Sequence, residues 1–262
     1  QKTAYEITYG DWSSDVCSSD LAEQAFRFLR RTLTDGDKIF RSYRDRPPVT
    51  EGFLDDYAWY IRSALALYDV TFGNMFLSEA EARLKYVMDA FPDQSSPLFH
   101  YTSRHAPRLM ARTREGFDNV TPSSNAVLAA VLNRAGCLLD RPDWMERVRL
   151  MVDHVAGPMA ESPAYMCGWG QVMQEINHGL ETVVIASADP VSDRRAFGQD
   201  FMPFTLFAAG DGESIPRIPL LDGKIMIDDR VTFYVCRGNT CQVPVHSADE
   251  VRGQLNLGGI PA

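Results

Sequence analysis

The chain predicts a mainly α fold that closes with a small α/β segment, and three observations carry this. Apolar residues recur at spacings of three and four from Leu21 to about Gly179. Helix start and stop signals punctuate that stretch into six helices, which in sequence order make about three antiparallel hairpins. After Gly179 the pattern changes to short β-branched and aromatic runs between turn residues.

The first helix has Ala22, Ala25, Phe26, Phe28 and Leu29 on its apolar face and stops near Asp35-Gly36. Asp55 and Asp56 open the second, where Tyr57, Ile61, Ala64, Leu65 and Tyr68 recur at helical spacing. Ser78-Glu-Ala-Glu81 has the form of a capping box opening the third, and Pro92 closes it. Leu98 to Thr102 reads as an extended piece. Thr121 as N-cap with Pro122 behind it starts the fourth helix. The fifth runs from Asp140-Arg-Pro142 to Gly157-Pro158, and the sixth from Pro163 to Asn177.

Thr182 to Ser187, Pro203 to Ala209 and Val231 to Cys236 are the strand candidates of the closing segment. Asp189-Pro190 and Ser247-Ala-Asp-Glu250 start its helices. The expected division is a leader over 1–21, a helical region over 22–180 and an α/β segment over 181–262.

The leader is set apart because Asp11-Trp-Ser-Ser-Asp-Val-Cys-Ser-Ser-Asp-Leu21 has neither helical nor strand period. It is identical to one reading-frame translation of a common sequencing-library adapter. The expectation is an assembly scar, with the native sequence upstream of residue 22 lost.

Among 262 residues, 26 are basic and 35 acidic, for a net charge of −9, and no Lys/Arg cluster appears. Nucleic acid and anionic membranes are therefore not expected partners. No apolar run is long enough to span a bilayer. Beyond Cys17, the scattered Cys137, Cys167, Cys236 and Cys241 imply a reducing, cytoplasmic setting; Cys236 and Cys241 flank a Gly238-Asn239 turn whose hairpin brings them close, with two packed thiols favoured over a disulfide or half of a metal site. The five histidines lack metal-ligand spacing, so no metal and no cofactor is expected.

Two runs concentrate polar chemistry at helix starts: Gly52-Phe-Leu-Asp-Asp-Tyr-Ala58 and Phe117-Asp-Asn-Val-Thr-Pro-Ser-Ser-Asn125. Paired carboxylates serve glycosidic chemistry when one is protonated and the other ionised. Asp55, Asp56, Glu115 and Asp118 are the candidates for those acid/base roles. Tyr57 is a stacking candidate, as are Trp59, Tyr60, Phe99 and Tyr101. Arg112, Ser124 and Asn125 are candidates for holding substrate oxygens. The competing account makes the acids helix caps, the aromatics core, and Arg112, Arg114, Glu115 and Asp118 a surface ion-pair cluster.

Three segments together resemble one known family: Phe53-Leu-Asp-Asp-Tyr-Ala58, then Leu109-Met-Ala-Arg112 with Asp118 to Asn125, then Tyr234-Val-Cys-Arg-Gly-Asn-Thr-Cys-Gln-Val-Pro244. Their order and spacing are similar to the family of spermatogenesis-associated protein 20 and its bacterial thioredoxin-domain-containing relatives. Where relatives have Pro-Ser-Gly-Asn, this chain has Pro122-Ser-Ser-Asn125. The resemblance implies the later part of an α/α toroid, similar to six-hairpin glycosidases, whose thioredoxin-like domain and first toroid half are missing partners of the same protein. It implies a small carbohydrate as ligand, with a non-catalytic interaction module of a larger redox-associated protein as the alternative. No Cys-x-x-Cys is present, so no redox activity is carried over.

Overall fold

The computed structural model describes residues 18–43, 50–107, 110–210, 217–238 and 240–255. Residues 11–17 of the adapter-like run, Leu109 and Asn239 lie outside them.

Among the described residues six helices precede the closing segment: α1 Ser18–Leu33, α2 Leu54–Thr71, α3 Asn74–Ala90, α4 Ser124–Leu138, α5 Pro142–Glu161 and α6 Cys167–His178. The mainly α expectation holds. Helix α1 runs through Ser18 to Leu21, so the expected boundary at residue 21 falls inside a helix. Packing pairs α2 with α3 and α4 with α5, and it also sets α2 and α4 side by side although they are not consecutive. Helix α4 is apolar almost all round because α2, α5, α6 and a strand surround it; Val127, Leu128, Val131 and Leu132 are all buried. Helix α2 buries a stripe through Leu54, Tyr57, Ile61, Ala64 and Tyr68 and leaves Trp59 partly exposed.

Several helix ends differ from the sequence expectation for physical reasons. Helix α3 starts at Asn74, one turn before the Ser78 box, because Phe76 and Leu77 are buried and hold the extra turn. Helix α4 is capped by Ser123 rather than Thr121: the Ser123 hydroxyl accepts from the Ala126 N–H at 3.2 Å. Helix α5 continues through Pro158, whose missing N–H costs one bond on an exposed face, while its carbonyl still accepts from Ser162. Pro163–Tyr165 forms a separate 3₁₀ turn before α6.

Asp35-Gly36 does more than stop α1. It turns a small hairpin, β1 Thr34–Asp35 with β2 Lys38–Ile39, using Gly36 at φ 53°. The closing segment holds β3 Glu181–Ala186, α7 Pro190–Arg194, β4 Thr205–Ala208, β5 Thr232–Arg237, β6 Thr240–Cys241 and α8 Ala248–Gln254. Its sheet has the order β4-β3-β5-β6, with β3 parallel to β4 and the other pairs antiparallel. As expected, Asp189 and Ser247 cap α7 and α8, accepting from Ser192 and Glu250. Strand β6 pairs with β5 as the hairpin expected there; it places Cys241 opposite Cys236, and the two sulfurs are bonded at 2.05 Å. The expectation of two packed thiols is thus replaced by a cross-strand disulfide. Directly opposed residues bring their Cβ atoms within bonding reach.

Candidate functional site

Between α3 and α4 none of the described residues from Phe91 to Ser123 is helical. A connection this long in a compact fold tends to carry function. Its extended piece ties the two polar helix starts together. Phe99 is held by α4: the Asn125 Oδ1 accepts from the Phe99 N–H at 2.7 Å, and its Nδ2 donates to the Phe99 carbonyl at 3.0 Å. Tyr101 is held by α2: its carbonyl accepts from the Leu54 N–H at 2.9 Å, and its ring packs on that of Phe53 at 5.0 Å. Residues two apart on an extended chain lie about 7 Å apart, so the starts of α2 and α4 are neighbours.

Around this seam the candidate residues divide into two groups. Asp55 keeps about a third of its side chain exposed, with Arg41 Nη1 at 3.4 Å. Burial and the Asp55 charge push the Tyr101 hydroxyl up to about 12, and Glu115 adds to the shift, so carboxylates from both motifs act on one phenol. Glu115 is exposed and its Oε2 accepts from the Ser124 N–H at 3.3 Å. The Ser124 hydroxyl is buried with no partner among the described residues. Arg112 is half-buried and donates to the Thr102 carbonyl at 2.5 Å.

The other candidates are consumed by the fold. Tyr57 is fully buried; its hydroxyl accepts from the Ile39 N–H at 2.9 Å and its ring stacks on Tyr86. It offers no face to a ligand, which corrects the stacking role expected of it. Tyr60 is likewise buried, bonded to Glu79. Asn125 is fully buried and spends both amide atoms on backbone, including the Glu115 carbonyl at 2.9 Å, so it positions the loop. Asp118 accepts from the Ser123 N–H at 2.8 Å and the Gly168 N–H at 2.7 Å, stapling the starts of α4 and α6. Asp56 accepts from the Phe53 N–H at 2.8 Å and from Arg41 at 2.9 Å, the reach-back of a capping box. Burial raises its carboxyl above the usual range despite Arg41. Asp118 and Asp56 thus have the helix-cap role that competed with catalysis.

The expected ion-pair cluster is also redrawn. Arg114 pairs with Asp93 at 2.9 Å, not with Glu115 or Asp118, and His100 Nε2 lies 3.7 Å from the same carboxylate. Burial, with Arg112 nearby, lowers the His100 pKa. Arg147 from α5 stacks on the Phe99 ring at 4.8 Å. Arg41 and Arg147 carried no sequence signal, since each joins the seam from a distant segment, and Asp93 lies on the connection itself. Tyr101 had one, its place on the extended piece.

Among the described residues no three His, Cys, Asp or Glu side chains are grouped to hold a metal ion. Among them, too, no helix is long and apolar enough to cross a membrane.

No family model matches the chain. Among curated proteins it is similar to spermatogenesis-associated protein 20 of Homo sapiens, 24% identical over 255 residues, covering 90% of this chain and 32% of that protein. The Rattus norvegicus and Mus musculus proteins of that name are each 24% identical over 219 residues, covering 80% of this chain and 28% of theirs. The chain therefore spans about a third of the length of these relatives. Across nine-tenths of its sequence this chain is similar to spermatogenesis-associated protein 20.

Proposed function

We propose that this chain is part of a carbohydrate-binding or carbohydrate-processing α/α toroid, with its pocket at the starts of α2 and α4. The observation that carries this reading is Tyr101: its carbonyl is held by the Leu54 N–H at the start of α2, and the Asp55 and Glu115 charges from the two motifs both act on its hydroxyl. Two carboxylates flanking one aromatic is the arrangement that sugar hydroxyls and an apolar sugar face call for. In this reading Asp55 and Glu115 are the acid/base candidates, and Arg112 and Ser124 bind substrate oxygens. Helix α1 supports a partial ring, because Phe28 and Leu29 stay exposed at 47% and 38% where a further hairpin would cover them.

The test is to express the uninterrupted gene and screen sugars by thermal shift. A shift that Asp55→Asn and Glu115→Gln both abolish supports the site. No shift with any sugar, or an unchanged shift in both variants, sinks it.

A second reading has its own support: Asp56, Asp118 and Asn125 are wholly occupied in building the seam. Here the chain is a non-catalytic module of a larger thioredoxin-domain-containing protein. That reading expects Asp55→Asn and Glu115→Gln to leave every property of the full-length protein unchanged, while Asp118→Ala unfolds this region.

A further inference from the structure

A cavity lies away from that seam. It holds about 590 Å³, within the range of small-molecule sites, and sits where the C-terminal end of α4 and helices α5 and α6 meet the closing segment. Asn133 to Leu138 of α4 line it, and Leu138 is about 20 Å along the helix from Ser124. None of its lining residues belongs to the start of α2 or of α4.

Its chemistry is asymmetric. Leu138, Ile176, Leu180 and Leu220 supply an apolar wall. Arg149, Lys224 and Arg237 approach from three separate elements, in a chain whose net charge is −9. The acids on the wall do not balance them equally. Glu175 is already neutralised, taking both Nε and Nη2 of Arg134 at 2.9 and 2.7 Å and the Asn133 amide at 3.3 Å. Asp140 is the other lining carboxylate. Arg149 and Arg237 make exposed pairs with Glu146 and Glu181, contacts that water and salt weaken. Lys224 is half-buried with its ammonium 5.5 Å from the Tyr234 ring, and no carboxylate pairs with it among the described residues. One wall is covalently held as well, because the Cys236–Cys241 bond fixes the hairpin that presents Arg237 and Cys241.

We infer that this cavity binds a small amphipathic anion, an apolar body carrying one carboxylate or phosphate, with the headgroup at Lys224 and the tail against Leu138, Ile176 and Leu180. One ligand accounts for both features: an ammonium with no carboxylate partner among the described residues, and an apolar hollow of this size beside it. A charge-assisted contact orients the headgroup, and the tail removes apolar surface from water.

Equilibrium titration of the folded chain with decanoate, decyl phosphate and decanol tests it. The expected result is saturable one-to-one binding of at least one anion, weakened roughly tenfold by Lys224→Met and abolished by Ile176→Trp, which fills the hollow. Which of the two anions binds more tightly identifies the headgroup. The inference is overturned if no anion binds saturably, if decanol binds as well as the anions, or if Lys224→Met and Ile176→Trp both bind like the parent. Lys224→Met removes a half-buried surface charge and leaves the apolar core untouched, so it keeps the test open should the larger variant fail to fold.

Discussion

Asn125 grips Phe99 by both ends of the peptide, accepting from its N–H at 2.7 Å and donating to its carbonyl at 3.0 Å. A fully buried amide thereby takes the place of a neighbouring strand for the extended piece of the long connection. Replacing Asn125 by Ala strands the Phe99 N–H and two backbone carbonyls, each a buried group without a partner. The expected loss is about 3 kcal/mol in chemical denaturation. A loss below about 1 kcal/mol would show that water replaces the amide freely.

Asp118 staples two helix starts, and Gly168 is the residue that lets it reach. A Cβ on Gly168 would meet Asp118 Oδ1 at 3.0 Å, Ala126 Cβ at 3.1 Å and Pro122 Cβ at 3.2 Å. In an open helix Gly→Ala gains about 1 kcal/mol. Here Gly168→Ala is expected to lower the unfolding midpoint instead. Combining it with Asp118→Ala should cost less than the sum of the two single changes, since both act on one contact. Additive losses would show the two residues to be independent.

Asp56 gives stability a pH signature. Burial raises its carboxyl above the unfolded value of 3.8, so the folded chain holds that proton more tightly than the unfolded chain does. Its contribution is fully present below pH 3.8 and is lost as the pH rises through the raised folded value. Asp56→Asn removes the titration. The stability of the variant relative to the parent should therefore increase as pH goes from the acid side toward neutral. A difference that stays flat, or runs the other way, contradicts a raised Asp56.

The Cys236–Cys241 bond predicts a thiol count. Cys236 and Cys241 are joined, so reduction should raise by two the equivalents of a thiol reagent that the denatured chain takes up. Cys241→Ala opens a short loop and should cost about 2 kcal/mol. No rise on reduction would restore the packed-thiol arrangement.

Much of the architecture was legible in the chain itself. Leu54, Tyr57, Ile61, Ala64 and Tyr68 recur at helical spacing, and all are buried in α2. Asp189 and Ser247 cap the helices their positions announced, because a cap bonds an N–H three residues away and local sequence contains both partners. The change of pattern at Gly179 marks where β3 begins two residues later. Phe72 is a counter-example: it ends α2 at φ 53°, a conformation usually left to glycine, though Gly73 stands beside it.

The site was less legible, and the reason is the same throughout. Asp55, Asp56, Glu115 and Asp118 look alike in sequence, each a carboxylate near a helix start. What separates them is the partner each finds: the Asp56 N–H for Asp55, the Phe53 N–H for Asp56, the Gly168 N–H for Asp118. Gly168 lies 50 residues from Asp118, so no local pattern encodes that bond. The sequence determined which segments are helical, which faces are apolar and where polar groups gather, since periodicity and capping are short-range. Only the tertiary structure decided which polar groups are spent on backbone and which stay open, because hydrogen-bond saturation depends on neighbours that folding brings together.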